Sequence, residues 1–289
     1  MIAAPDVSGK VAISTVPPPH RARRDLIAPL VVTFASLAKI GRAEPPSDSD
    51  HALPCRPTIA CTADVVPPGT FEVETGVLFR RIDGGARQLT VPFLLKQTLT
   101  ETVQVQVGSN GYSIIEGDVP AQYLDDVVVG PKVHLPDQTR SRPSLAFSVE
   151  LSIPTLRQVG YLRTYDVLAT GFATKDLGPV HADLNAGVNL WRSEGAPRPQ
   201  EFAALALSGT VVGPLGAMLE GYIFSDASPV AYRDGGLLFA LDEEVRPWLV
   251  LDEGADLGLY PSNRAYSVFV GATIIAAVLW RRSRSQGRQ

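Results

Sequence analysis

The sequence is poor in several features that would each point somewhere definite. It has two cysteines and two methionines in 289 residues, too few for a disulfide-dense scaffold or a cysteine-rich metal domain. Charged residues are only 19% against 45% hydrophobic, which excludes a disordered chain. No central run reaches the roughly 18 to 20 apolar residues of a membrane-spanning helix. Net charge is −4, and no basic patch lies in the body of the chain, which argues against a nucleic-acid partner. Amphipathic helical stretches are scarce, and no nucleotide-binding loop, metal motif or cofactor signature is present.

The amino-terminal region reads as an export signal set back from the first residue. Arg21, Arg23 and Arg24 precede the apolar stretch Leu26 to Ala38, and Gly41-Arg42-Ala43 offers small residues around a cleavage position, with Ala38 as a second site. Residues 1–43 are therefore expected to be a signal peptide with an amino-terminal extension. They hold six cationic and two acidic side chains, so the remainder carries −8. Residues 44–68 are rich in proline and polar groups and read as a periplasmic tether. Cys55 and Cys61 within it predict a small disulfide loop, the alternative being two free thiols. A zinc site would need more ligands than His51 supplies.

From residue 69 the period is two. In Val180 to Trp191, Ala182, Leu184, Ala186, Val188 and Leu190 share one face, with His181, Asp183, Asn185, Gly187 and Asn189 on the other. In 144–153, Leu145, Phe147, Val149, Leu151 and Ile153 oppose Ser144, Ser148, Glu150 and Ser152. About twelve such segments, each long enough to cross a bilayer at a tilt, follow one another to residue 275. Short joints (98–101, 175–179, 212–214) alternate with longer ones (110–125, 154–165, 191–200, 225–234), as expected when one rim faces the periplasm and the other the outside. Backbone polar groups find no water in hydrocarbon, so a spanning sheet must close without an edge. The expectation is an all-β, transmembrane, antiparallel up-and-down barrel over 69–275, in contact with the lipid bilayer of the outer membrane, inserted by the barrel-assembly machinery, and with both termini periplasmic. Residues 276–289 read as a basic carboxy-terminal tail, although 266–280 also fits a short anchor helix.

The polar face assigns the lumen. Its candidates are Glu72, Glu74, Arg80, Lys96, Gln104, Gln106, Asp126, Lys132, Glu150, Asp183, Asn185, Asn189, Glu220, Asp234, Asp252 and Asp256. Acids outnumber bases, which suits an ion-paired network around Arg80, Lys96 and Lys132. Glu253 falls on the lipid face, and the segment 162–174 leaves Leu168, Thr170 and Phe172 competing with Ala169, Gly171 and Ala173 for the outside.

Four stretches carry a resemblance. Val66 to Glu74 (VPPGTFEVE) resembles the opening strand of the outer-membrane barrels named for the MetA pathway of phenol degradation, and Val107 to Tyr112, Asp126 to Lys132 and Lys175 to Gly178 are similar to later segments of that family. The resemblance covers about residues 54 to 275. It implies a channel or transporter for a small molecule, aromatic or other hydrophobic compounds included, without cofactor. A structural or anchoring barrel without transport is the alternative. An outer-membrane esterase needs a histidine two positions before its serine, and before Ser109 that position is Val107, so the chain is not expected to be an enzyme.

Overall fold

The computed structural model describes residues 44–82, 85–117, 120–155, 165–191, 198–227, 233–259 and 264–280. The expected signal peptide and residues 281–289 of the expected tail lie outside them.

Every regular element among the described residues is a strand: β1 (Thr70–Ile82), β2 (Arg87–Thr98), β3 (Val103–Glu116), β4 (Ala121–Leu124), β5 (Val127–His134), β6 (Ser144–Ile153), β7 (Asp166–Leu177), β8 (Val180–Trp191), β9 (Arg198–Val212), β10 (Leu215–Phe224), β11 (Asp234–Arg246), β12 (Leu249–Gly258) and β13 (Arg264–Val278). Neighbours pair antiparallel from β5 round to β13, β13 pairs β1, β1 pairs β2 and β2 pairs β3. β3 then pairs β4 over Tyr112–Ile115 and β5 over Val103–Ser109. β4 and β5 are thus one stave interrupted at Asp125 and Asp126, and the sheet closes as twelve staves with no free edge.

Alternation explains which side faces out. On β6, Leu145, Phe147, Val149, Leu151 and Ile153 are exposed to between 36% and 47%, while Ser144, Ala146, Ser148, Glu150 and Ser152 are buried. A monomer that exposes such a continuous apolar belt is solvated by lipid, since water would penalise it at roughly 25 cal/mol per Å². On β7, Leu168, Thr170 and Phe172 point inward and Ala169, Gly171 and Ala173 outward, which settles the ambiguity in that segment. Glu253 faces outward in the middle of β12, beside Leu241 and Val270. No bulge rescues it.

Three boundaries differ from the sequence reading. The long joint expected over 110–125 is mostly strand: β3 continues to Glu116 and returns as β4. A bulge hid this. Val91 pairs Tyr112 but Phe93 pairs Ser109, so Asn110 and Gly111 bow out opposite Pro92, which has no N–H to offer the ladder. Gly111 there has φ +84°, and a Cβ on it would lie 1.8 Å from the Val91 carbonyl oxygen. The final strand runs to Val278, three residues into the expected tail, because Thr70 and Phe71 of β1 supply partners that far. It is a strand and not an anchor helix.

The third difference is the largest. Residues 44–68 are not an external tether. Glu44 bridges Val278 at the short-turn rim, and Ala52 N donates to Pro247 O at 2.7 Å. The chain then enters the barrel, buries Cys55 through Thr62 apart from a half-buried Pro57, and returns to the same rim, where Gly69 N donates to Thr98 O at 2.9 Å. The barrel core is this inserted loop together with the inward side chains around it.

Candidate functional site: a loop-filled lumen

The inserted loop is irregular, so its main-chain groups have no helix or ladder partners, and each one left bare inside would cost free energy. The wall supplies the partners. Glu74 on β1 accepts from the backbone N–H groups of Cys55 and Arg56, both at 2.9 Å. Glu220 on β10 accepts from Ile59 at 2.9 Å and from Ala60 at 2.5 Å. Glu72 accepts from Leu53 at 3.0 Å. Two lysines serve the carbonyls: Lys96 Nζ donates to Leu53 O at 2.6 Å, and Lys132 Nζ to Thr62 O at 2.5 Å and Asp64 O at 3.2 Å. Asn185, with its amide oriented to suit its neighbours, donates to Cys61 O at 2.9 Å and accepts from Cys61 N at 2.8 Å. Ala63 N donates to Thr174 Oγ1 at 2.7 Å. The wall therefore grips the loop's main chain more than its side chains, through charge-assisted bonds that are stronger than neutral ones.

Several of these charges are paired. Lys96 ion-pairs with both Glu72 and Glu74. Arg56, the loop's own cation, meets Asp252 on β12 with Nη2 3.3 Å from Oδ1 and Nε 3.4 Å from Oδ2. Lys132 also stands 4.7 Å from the centre of the Phe172 ring. Cys55 and Cys61 are joined by a disulfide, which closes the loop at its innermost turn.

The interior is not polar throughout. Phe202, Ala204, Ala206, Tyr222 and Phe224 on β9 and β10 form an apolar patch on which Ile59 and Ala60 rest. Leu94, Ala146 and Phe172 pack against the disulfide and Ala63. Tyr222 therefore points inward, its hydroxyl 2.9 Å from Asp256 Oδ1. Tyr112 and Tyr266, near strand ends, do face outward.

The remaining sequence candidates are placed as follows. Gln106 donates to Gln104 at 2.8 Å and Gln104 to Thr98 at 3.0 Å, away from the loop. Asp183 receives Thr174 Oγ1 at 2.5 Å and lies 3.3 Å from His181 Nε2. Glu150, Asn189 and Asp234 are buried on β6, β8 and β11, and Arg80 and Asp126 are half-buried. The site thus brings together Glu72, Glu74, Lys96, Lys132, Asn185, Glu220 and Asp252, and leaves the others dispersed. Periodicity could not have found Arg56, Thr174 or the loop itself. The cysteine pair was the one local signal that 55–61 is held compactly.

Space remains on both sides of the loop. Toward the long-loop rim lies a cavity of about 110 Å³ lined by Arg56, Leu78, Arg80, Asp125, Asp256 and Phe269 among others. Toward the short-turn rim lies one of about 480 Å³, lined on the wall side by His181, Asp183, Met218, Asp242 and Glu244. Asp64, His134 and Asp137 set one potential ligand atom each within 4.8 Å of one another. Both imidazole nitrogens of His134 are engaged, Nδ1 with Ala63 O at 3.1 Å and Nε2 with Asp137 Oδ1 at 2.9 Å, so the group works as a clasp on the loop's exit. Ser109 holds the bulge: its Oγ accepts from Gly111 N at 2.9 Å and donates to Asp125 O at 3.3 Å.

These features define a closed transmembrane β-barrel with an internal plug. Its fold is that of outer-membrane channels. An outer membrane channel from Pseudomonas putida F1 superimposes with a TM-score of 0.55 at 13% identity, over 73% of this chain and 97% of that one. The NanC porin does so with a TM-score of 0.50 at 8% identity, over 71% and 98%. No family model matches the sequence, and no curated protein matches it.

Proposed function

We propose that the chain is an outer-membrane channel or transporter whose own residues 44–68 close its lumen from the periplasmic side, and that its solute is a small molecule with apolar character. The observation that carries this is the way the loop is held. A permanently filled barrel would be best stabilised by a continuous apolar core. Here the loop is seated largely on hydrogen bonds and ion pairs, which water can replace one at a time, and cavities flank it on both sides. The apolar patches Phe202–Tyr222–Phe224 and Leu78–Leu238–Phe269 support an aromatic or aliphatic solute, consistent with the resemblance to the phenol-degradation barrels. First and last strands meet at the short-turn rim, where Thr70 pairs Val278, which fits a periplasmic location for both ends.

The second reading, an anchoring barrel without transport, is favoured by the filled lumen alone. Planar-bilayer recording with the purified protein separates the two. The channel reading expects discrete openings under applied potential, and uptake of small aromatic compounds by proteoliposomes. A barrel that never conducts and passes no solute is an anchor.

A further inference from the structure

Among the described residues the two cavities share a single lining residue, Arg56. Its side chain is 4% exposed and that of its partner Asp252 3%. The wall around the pair is shaped for a guanidinium. Gly76 on β1 is paired with Gly271 on β13, and Gly271 with Asp252 on β12, so three adjacent strands present glycine, glycine and carboxylate in one row across the sheet. A Cβ on Gly76 would lie 2.5 Å from Arg56 Nη2 and equally close to the Val270 carbonyl oxygen. A Cβ on Gly271 would have Arg56 Nε and Nη2 at 2.5 Å and its Cζ at 2.7 Å as its nearest neighbours. The guanidinium thus lies flat in a notch that two missing side chains create.

An apolar cluster borders both cavities beside the pair. Leu238, Ala240 and Phe269 pack with Leu78 and Met218 as one cluster. Leu78, Leu238 and Phe269 border the cavity toward the long loops, and Met218 borders the other. Arg56 is held twice: its backbone N–H by Glu74, its side chain by Asp252. The two holds are separate, so loss of the side-chain contact does not by itself release the main chain.

We infer that Arg56 is the latch of the channel: its guanidinium in the Gly76–Gly271–Asp252 notch keeps the two cavities apart, and the notch is a cation site that accepts the guanidinium or primary ammonium group of a small, otherwise apolar solute once Arg56 swings out. This rests on the channel reading. A planar fork matches a carboxylate with both its edges, and the glycine floor admits a flat group, so guanidinium is the preferred ligand class.

The test uses the full chain in planar bilayers, with heat-modifiable gel mobility confirming the folded barrel of each variant. Arg56→Ala removes the latch. Gly271→Ala keeps the charge but evicts the guanidinium, and it carries the test if Arg56→Ala does not fold. Both are expected to raise the time-averaged conductance several-fold over wild type. Millimolar guanidinium chloride should then lower the Arg56→Ala conductance back toward the wild-type level, sodium chloride of equal ionic strength should not, and the block should vanish in Arg56→Ala/Asp252→Asn. Wild-type openings that neither variant increases would overturn the latch and leave the channel reading intact. No openings in any of the three proteins would overturn the channel reading and the latch with it. An open Arg56→Ala barrel indifferent to guanidinium would overturn the notch as a cation site.

Discussion

Lys132 Nζ donates to the main-chain carbonyl of Thr62 at 2.5 Å, from a lysine side chain that the barrel buries almost entirely. The sequence places this lysine on the polar inner face, in an ion-paired network with acidic neighbours. Its position makes it an anchor of the plug. Lys132→Met keeps most of the volume and the stem but takes the lysine donor from the buried Thr62 carbonyl, at about 1–3 kcal/mol, and from the half-buried Asp64 carbonyl, at less. The expected outcome is faster amide hydrogen exchange over residues 60–64 with an intact barrel. Unchanged exchange there would show that the lysine does not hold the loop.

Glu220 gives a sharper prediction because both of its oxygens are used. Glu220→Gln substitutes an amide NH₂ for one acceptor, so one of the Ile59 and Ala60 N–H groups meets a donor. The loss is expected to be about 2 kcal/mol, as for a charge-assisted bond inside a protein. Exchange of the Ile59 and Ala60 amides should accelerate by more than tenfold, 1.4 kcal/mol being tenfold. Glu220→Ala should do at least as much.

The disulfide should matter to the loop and not to the barrel. Cys55 and Cys61 are six positions apart, and closing so small a ring constrains the unfolded chain by about 2 kcal/mol. Reduction, or Cys55→Ser with Cys61→Ser, is expected to leave heat-modifiable mobility unchanged while residues 53–62 become accessible to protease added from the short-turn side. A barrel that unfolds on reduction would mean the loop is integral to its stability.

Glu253 stands outward in mid-strand among apolar neighbours, about 13 Å along β12 from its short-turn end at 3.3 Å per residue. A carboxylate on the lipid face is unfavourable, less so than a lysine or arginine at the same depth. Glu253→Leu is expected to raise the urea midpoint of unfolding in detergent or lipid, by an amount corresponding to about 1 kcal/mol. A lower midpoint would indicate that Glu253 has a partner outside the hydrocarbon.

Much of the barrel was legible because one physical rule governs it. A strand between lipid and an interior must alternate, and Leu145 to Ile153 does so without interruption. The rule failed where alternation failed. Asn110 and Gly111 bulge opposite Pro92, and the strand beyond them read as a loop. Phe172 points inward because the plug is there to pack on, and a lone strand pattern carries no sign of that plug. The loop itself is irregular, proline-rich and polar, indistinguishable in composition from a linker. Its partners Glu220, Lys132 and Thr174 lie from about 70 to 160 positions away along the chain. The sequence reading found polar residues on the inner face but had no means of seeing what they hold.

The measurement that tests the account most directly is fractionation of the expressed protein combined with gel mobility of unboiled and boiled samples. A closed transmembrane barrel predicts recovery in the outer-membrane fraction of a Gram-negative host, with a shift in mobility on boiling. A soluble product, or an inner-membrane one whose mobility boiling does not change, would contradict the barrel and with it the plug, the latch and the channel.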